Sequence, residues 1–270
     1  MEIKFLGTGS GKVSLTRHHS SFLISTGTKP DSNQDLTSDG QGYNLLIDAG
    51  DGISKAFLSQ KIPFNTVDGI LFSHFHPDHY TGIAGLIVQM KMEGREKKLE
   101  LFAHESSIGF LEEFIYQSYL FPGKLNFNLE FKAYTNNDPY IVNDSFSFIA
   151  HQNSHLDSAI SYDVKRKLGF SSCSFLIKID NKNIFYTGDI GNKNDLYLFP
   201  GIKVDVMISE ITHIIPDELL EAFKKINPEK LLITHISDED ENKLRDFHYH
   251  LTGNERKKTI QAFDGLEIKV

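Results

Sequence analysis

The stretch ILFSHFHPDHYTGIAGL, residues 70–86, constrains this chain more than any other. An apolar run that reads as a buried strand feeds into His74, His76, Asp78 and His79, an H-x-H-x-D-H pattern. Apolar residues at helical spacing follow over 79–92. On an extended segment alternate side chains share a side, so His74 and His76 point the same way and can take one ion. Asp78 and His79 come where the chain turns into the helix and face a neighbouring position. Imidazole with carboxylate suits zinc, manganese or iron(II), whereas calcium and magnesium want mostly oxygen. The competing reading is a solvated histidine-rich loop, and the strand-to-helix context speaks against it.

A catalytic metal site draws further ligands from other strand ends. The segment HQNSH offers His151 and His155, FYTGD ends a strand at Asp189, and LLITHIS ends another near His235. Each alone is as readily a hydrogen-bonded turn residue; beside residues 74–79 they form a set.

Around these motifs the chain alternates strands and helices. Strands are expected at 3–6, 21–25, 43–48, 67–73, 98–104, 127–134, 144–151, 203–210 and 230–235, with a hairpin over 171–189 turning at DNKN and a closing strand or strand pair at 262–270. Helices are expected at 52–60, 79–92, 106–120 behind a serine N-cap, 216–226 with Pro216 in the first turn, and 237–251. Residues 26–42 are polar and Gly-, Asp- and Ser-rich, which reads as a long mobile hairpin loop. The pattern predicts two packed sheets covered by helices in a single domain, 1–270. His248 and His250 stand two apart on a helix, face apart, and read as surface residues.

Composition narrows the partners. The only cysteine, Cys173, leaves no intrachain disulfide, no apolar run is long enough to span a membrane, and the N-terminus lacks a signal-peptide pattern, so a cytoplasmic location is expected. A net charge of −8 weakens a nucleic-acid-binding reading, which calls for a basic surface. The GTGSGK turn (7–12) has Leu6 and Val13 where a Walker loop needs Gly and Ser or Thr, and Lys12 where a dinucleotide loop needs Gly. It reads instead as a tight strand–turn whose amides can face a phosphate.

With Asp48 in LLIDAG, H-x-H-x-D-H at 74–79, His155, the GD of Asp189 and the strand-end His235 all in order, the chain resembles the metallo-β-lactamase-fold hydrolases over its whole length. The resemblance implies an α/β, four-layer αββα sandwich with two mixed sheets flanked by helices, and two divalent ions, zinc before manganese or iron(II). It implies that His74, His76 and His155 hold the first ion, that Asp78, His79 and His235 hold the second, and that Asp189 bridges both. Asp48 then orients ligands. His151 remains the alternative to His155, which lies a few residues past the strand, as the ligand does in relatives. The segments FLGTGSGKVSLTRHHSSFLIS, LLITHIS and AFDGLEI resemble the ribonuclease Z and small phosphodiesterase branch. Members of that branch are often dimers, so a homodimer is implied.

The departures from ribonuclease Z matter. Its long exosite arm for transfer RNA is replaced by a short segment carrying a basic loop, 163–170, which disfavours transfer RNA as a partner. Its HEAT segment appears as SEIT, with Ser209 in place of His, Glu210 kept, and His213 following as a proton-donor candidate oriented by Glu210. The expectation is hydrolysis of a small anionic phosphodiester (a cyclic nucleotide, cyclic phosphate or short oligonucleotide) by a metal-bridging hydroxide. Asp78 would orient the nucleophile and His213 protonate the leaving oxygen. Two alternatives stay open: a lactone or amide hydrolase on the same site, and a non-catalytic metal-binding protein.

Overall fold

A computed structural model describes residues 1–26, 42–165 and 167–270. Residues 27–41 of the expected mobile loop, and Arg166 of the basic loop, lie outside them.

Two seven-stranded mixed sheets form the middle of the fold. The first uses β1 (Glu2–Gly7), β2 (Ser21–Ser25), β3 (Asn44–Ile47), β4 (Gly69–Leu71), β5 (Leu99–His104) and β6 (Leu129–Tyr134). The second uses β7 (Pro139–Asn143), β8 (Phe146–Gln152), β9 (Cys173–Ile179), β10 (Lys182–Tyr186), β11 (Val206–Glu210), β12 (Lys230–Thr234) and β13 (Thr259–Gln261), and β14 (Glu267–Lys269) returns to the edge of the first. In each sheet one half is antiparallel and the other parallel: β14-β1-β2-β3 then β4-β5-β6 in the first, β7-β8-β9-β10 then β11-β12-β13 in the second.

Side-chain alternation builds three apolar layers. On β9, Cys173, Phe175, Ile177 and Ile179 all enter the core between the sheets, where they meet Ile3, Phe5, Phe22 and Phe148. The inner parallel strands β4 and β12 are buried on both faces, which is why they read as apolar runs. Val206 and Ile208 face the inter-sheet core while Met207 faces the outer one. The helices α1 (Ile53–Ser59), α2 (Pro77–Tyr80), α3 (Ile83–Met92) and α4 (Ile108–Gln117) belong to the first half of the chain. Of these, α1, α3 and α4 send Phe57, Leu86, Met90 and Leu111 onto the outer face of the first sheet. The helices α5 (Pro216–Ile226) and α6 (Glu241–His250) send Leu219, Phe223, Leu244 and Phe247 onto the second, and the short α7 (Gly253–Lys258) leads into β13. The result is the expected αββα sandwich.

Several elements differ from expectation. The helix expected over 79–92 is two, α2 and α3, because the Gly82 amide donates to the Ala49 carbonyl at 3.0 Å rather than to the preceding turn of the helix. Ser107 occupies the N-cap of α4, but its side chain makes no capping bond. The helix expected at 237–251 begins at Glu241, after a 3-10 turn, Asp238–Asp240, closed by a Ser237–Asp240 capping box. The closing segment holds one strand, β14. The edge strand β7 alternates exposed and half-buried residues and has an apolar run of only three, and β13 is three residues long; neither is marked as a strand by its sequence. Among the described residues no helix is long and apolar enough to cross a membrane.

Candidate metal centre

The chemistry-bearing residues gather where strands end along one rim of the sandwich. Asp48 follows β3, residues 74–79 follow β4, and His155 follows β8. Asp189 follows β10, Glu210 ends β11 with His213 just beyond, and His235 follows β12. Open α/β sheets place their sites at such carboxyl ends of parallel strands.

Three groups of ligand atoms form there, each with all its atoms within 4.8 Å of one another: His74, His76, His155 and Asp189; Asp78, His79, Asp189 and His235; and a smaller one, Glu210, His213 and His235, that shares His235 with the second. In the first, His155 Nε2 lies 3.0 Å from His76 Nδ1 and 3.7 Å from Asp189 Oδ2, and His74 Nε2 lies 3.9 Å from the same oxygen. In the second, Asp78 Oδ2 lies 3.4 Å from His79 Nε2 and 3.3 Å from His235 Nε2. Asp189 Oδ2 lies 3.4 and 3.2 Å from those two nitrogens, so one oxygen faces both groups. His155, not His151, joins the cluster; His151 Nδ1 turns to the Gln152 carbonyl at 2.9 Å, and its ring packs on Phe199.

These residues fit bound divalent metal. His74 Nε2 and His79 Nε2 are buried and have no hydrogen-bond partner, although each sits among carboxylate oxygens and other ring nitrogens. Their opposite nitrogens are committed: His74 Nδ1 to Ser73 Oγ at 3.1 Å and His79 Nδ1 to Asp48 Oδ2 at 2.8 Å. That leaves both Nε2 lone pairs turned toward Asp189, as metal ligation requires. Nitrogen and oxygen donors in this ratio suit zinc.

The electrostatics agree. Burial, reinforced by neighbouring His79, pushes the His74 imidazole well below its ordinary value. Burial opposes charge on His79 too, but Asp189 and Asp48 outweigh it and hold this imidazole well above the usual range. The buried Asp189 carboxyl is held well below the carboxylate range by His235 and His79. Positive charge is favoured at His79 and His235, and a bound cation would take the place of the proton there.

Asp48 is wholly buried in the left-handed backbone region, φ 56°. Its Oδ1 accepts from the Ser73 amide at 2.7 Å; its Oδ2 accepts from Ser73 Oγ at 2.8 Å and Tyr186 Oη at 3.1 Å, besides His79. It thereby fixes the tautomer of His79. Asp48→Asn is expected to weaken zinc binding by ~10–100-fold while the protein stays folded, measured by competition with a chromophoric chelator.

Glu210 and His213 stand beside the second group. Glu210, 1% exposed, accepts from the Ile190 amide at 2.7 Å and the His213 amide at 2.9 Å, and its carboxylate lies 2.8 Å from His213 Nδ1. Its Oε2 is 3.7 Å from His235 Nδ1, beyond hydrogen-bond distance, and that buried nitrogen has no hydrogen-bond partner. The His213 ring packs 4.9 Å from His155 and 5.6 Å from His235. Burial lowers the basicity of His213, but Glu210 outweighs it and raises its pKa above the ordinary histidine value. A cavity of about 290 Å³ opens over the centre, walled by His76, His155, His213 and His235 on one side and by Ser10, Lys12 and Glu239 on another.

Three supports were not visible in the sequence. Ser73 and Tyr186 complete the shell of Asp48 from opposite sheets. Asp195 accepts from the Ser154 amide and hydroxyl and from the Gly191 amide, tying the His155 loop to the Asp189 loop. Asp264 accepts from the Thr8 amide and hydroxyl and the His18 amide, fixing the turn after β1. Only Asp195 had a local signal, as the last residue of an N-K-N-D capping box.

Comparison with known proteins agrees with this geometry. The ribonuclease Z of Picrophilus torridus is 30% identical over 151 residues, 56% of this chain and 45% of the relative. The chain spans less than half the length of curated relatives such as this one. The metallo-β-lactamase-fold protein YhfI of Bacillus subtilis superposes with a TM-score of 0.71 at 17% identity, covering 99% of this chain and 98% of that one. The short form of human tRNase Z superposes with a TM-score of 0.68 at 18% identity, covering 100% and 99%. At such identities the likeness shows the fold, which is that of the metallo-β-lactamase hydrolases. The sequence profile of the family described as Anti-Pycsar protein Apyc1 matches residues 1–249, more than nine-tenths of the sequence, and the chain belongs to that family.

Proposed function

We propose that this protein is a two-metal phosphodiesterase acting on a small anionic phosphodiester: a cyclic nucleotide, a cyclic phosphate or a short oligonucleotide. The observation that carries the reading is the sharing of Asp189 between two adjacent ligand groups with a carboxylate-backed histidine beside them.

His74, His76 and His155 would hold one ion, Asp78, His79 and His235 the other, and Asp189 both. When bound, two such ions supply Lewis acidity toward a phosphoryl oxygen and a water ionised near neutral pH. The protein's residues do the rest. Asp78 orients the attacking water from the floor of the cavity. His213 gives the Nδ1 side of its ring to Glu210, which leaves Nε2 to carry a proton toward the leaving oxygen. Glu210 favours the protonated ring and holds its angle. The cavity matches a mononucleotide-sized group better than a folded RNA, and the net charge of −8 agrees. The ribonuclease and tRNase names of the relatives support phosphodiester chemistry.

The test is a substrate panel with zinc- and manganese-loaded protein: 3′,5′-cyclic mononucleotides, 2′,3′-cyclic phosphates, dinucleotides, a precursor transfer RNA, lactones and a β-lactam. Turnover concentrated in the first three classes is expected. Turnover of lactone or β-lactam alone would replace the reading with carbonyl hydrolysis.

A further inference from the structure

The wall of the cavity opposite the histidines is built by two turns far apart in sequence. The turn after β1 lays Gly11 against the Asp78 carboxylate, where a Cβ on Gly11 would stand 3.4 Å from Oδ2. Its successor, Lys12, is thereby placed at the cavity mouth. The 3-10 turn Asp238–Asp240 faces it. The Lys12 ammonium donates to the Glu239 carboxylate, and Ser14 Oγ donates to Asp238 Oδ1 at 3.0 Å. The Lys12 and Glu239 side chains are 61% and 73% exposed.

Among the described residues lining the cavity, Lys12 is the only lysine or arginine, while Asp78, Asp189 and Glu239 all contribute carboxylates. An anionic substrate entering there meets, besides the His213 ring, one cation carried on a flexible stem. An exposed ion pair is weak, and a lysine ammonium on a flexible stem moves without disturbing the backbone. Exchange of Glu239 for a phosphate oxygen therefore costs little and gains a charge-assisted hydrogen bond.

We propose that Lys12 is the protein's anion contact in this cavity, leaving Glu239 to hydrogen-bond a non-bridging oxygen of a small phosphodiester. The inference rests on the phosphodiesterase reading above and names the residue that selects for the phosphate.

The experiment compares zinc-loaded wild type with Lys12→Met, Lys12→Arg and Glu239→Gln. It reads KM and kcat on a 3′,5′-cyclic mononucleotide, Kd for inorganic phosphate by calorimetry, and zinc content. Lys12→Met is expected to raise KM and the phosphate Kd about tenfold or more, with kcat falling less than KM rises and zinc unchanged. Lys12→Arg recovers most of the affinity. Glu239→Gln frees the ammonium and tightens phosphate about two- to fivefold. Unchanged KM and Kd in Lys12→Met, with turnover by wild type, overturns the Lys12 assignment alone. Phosphate binding that Lys12→Met weakens, in a protein that turns over no phosphodiester, overturns the phosphodiesterase reading and leaves the contact standing. A wild type that neither binds phosphate nor hydrolyses diesters overturns both.

Discussion

Asp189→Asn removes hydrolysis almost completely, by on the order of 10³-fold or more in kcat/KM, and lowers zinc content with it. One oxygen of this carboxylate faces His74 and His155 on one side and His79 and His235 on the other, all within 3.9 Å. The amide keeps the shape and removes the charge, so the fold survives while both ligand groups lose their shared anion. The loss must exceed the ~10–100-fold that supporting residues such as Asp48 cost, because Asp189 faces both positions directly. Thermal denaturation separates binding from folding. A ligand held at 100 times its Kd stabilises the native state by about 2.7 kcal/mol, so zinc should raise the wild-type melting temperature clearly and that of Asp189→Asn little. A variant that keeps the wild-type zinc shift and turnover would remove Asp189 from the centre.

His213→Ala lowers kcat by ~10²–10⁴-fold on substrates with a poor leaving group and leaves zinc content alone. The ring touches both ligand groups only by packing, and its Nδ1 is spent on Glu210, so its loss takes away a proton rather than a metal. The size of the effect should depend on the leaving oxygen. A cyclic nucleotide expels a sugar alkoxide that needs the proton, whereas p-nitrophenolate leaves without one. The defect should therefore be large on the cyclic nucleotide and small on bis(p-nitrophenyl) phosphate. Glu210→Gln should show the same contrast in weaker form, since it lowers the basicity of His213 and loosens its angle. Equal losses on both substrates would mean that His213 holds structure or metal and is not the proton donor.

How much of this was legible depends on where each residue lies in the chain. His74, His76, Asp78 and His79 occupy six consecutive positions, so local geometry alone brings them together. Asp189 and His235 each end an apolar strand, and strand ends collect at one rim, which made them readable as a set. His155 had to be chosen over His151 on its distance past β8, and the structure separates the two because the chain turns after Gln152. The partners of Asp48 were not legible: Ser73 belongs to one sheet, Tyr186 to the other, and only the stacking of the sheets joins them. The same holds for Lys12 and Glu239, 227 positions apart. The sandwich itself was legible because its inner parallel strands, such as β4 and β12, are buried on both faces and read as apolar runs. The edge strands β7 and β13 were not, since β7 holds only three consecutive apolar residues between Pro139 and Asn143 and β13 is three residues long.

The most direct test of a two-metal phosphodiesterase is the rate of bis(p-nitrophenyl) phosphate hydrolysis as zinc is titrated into metal-free protein. The account predicts turnover that grows with zinc, levels off at two ions per chain, and is lost in His76→Ala. No turnover at two bound ions, full turnover at one, or full turnover retained in His76→Ala would contradict it.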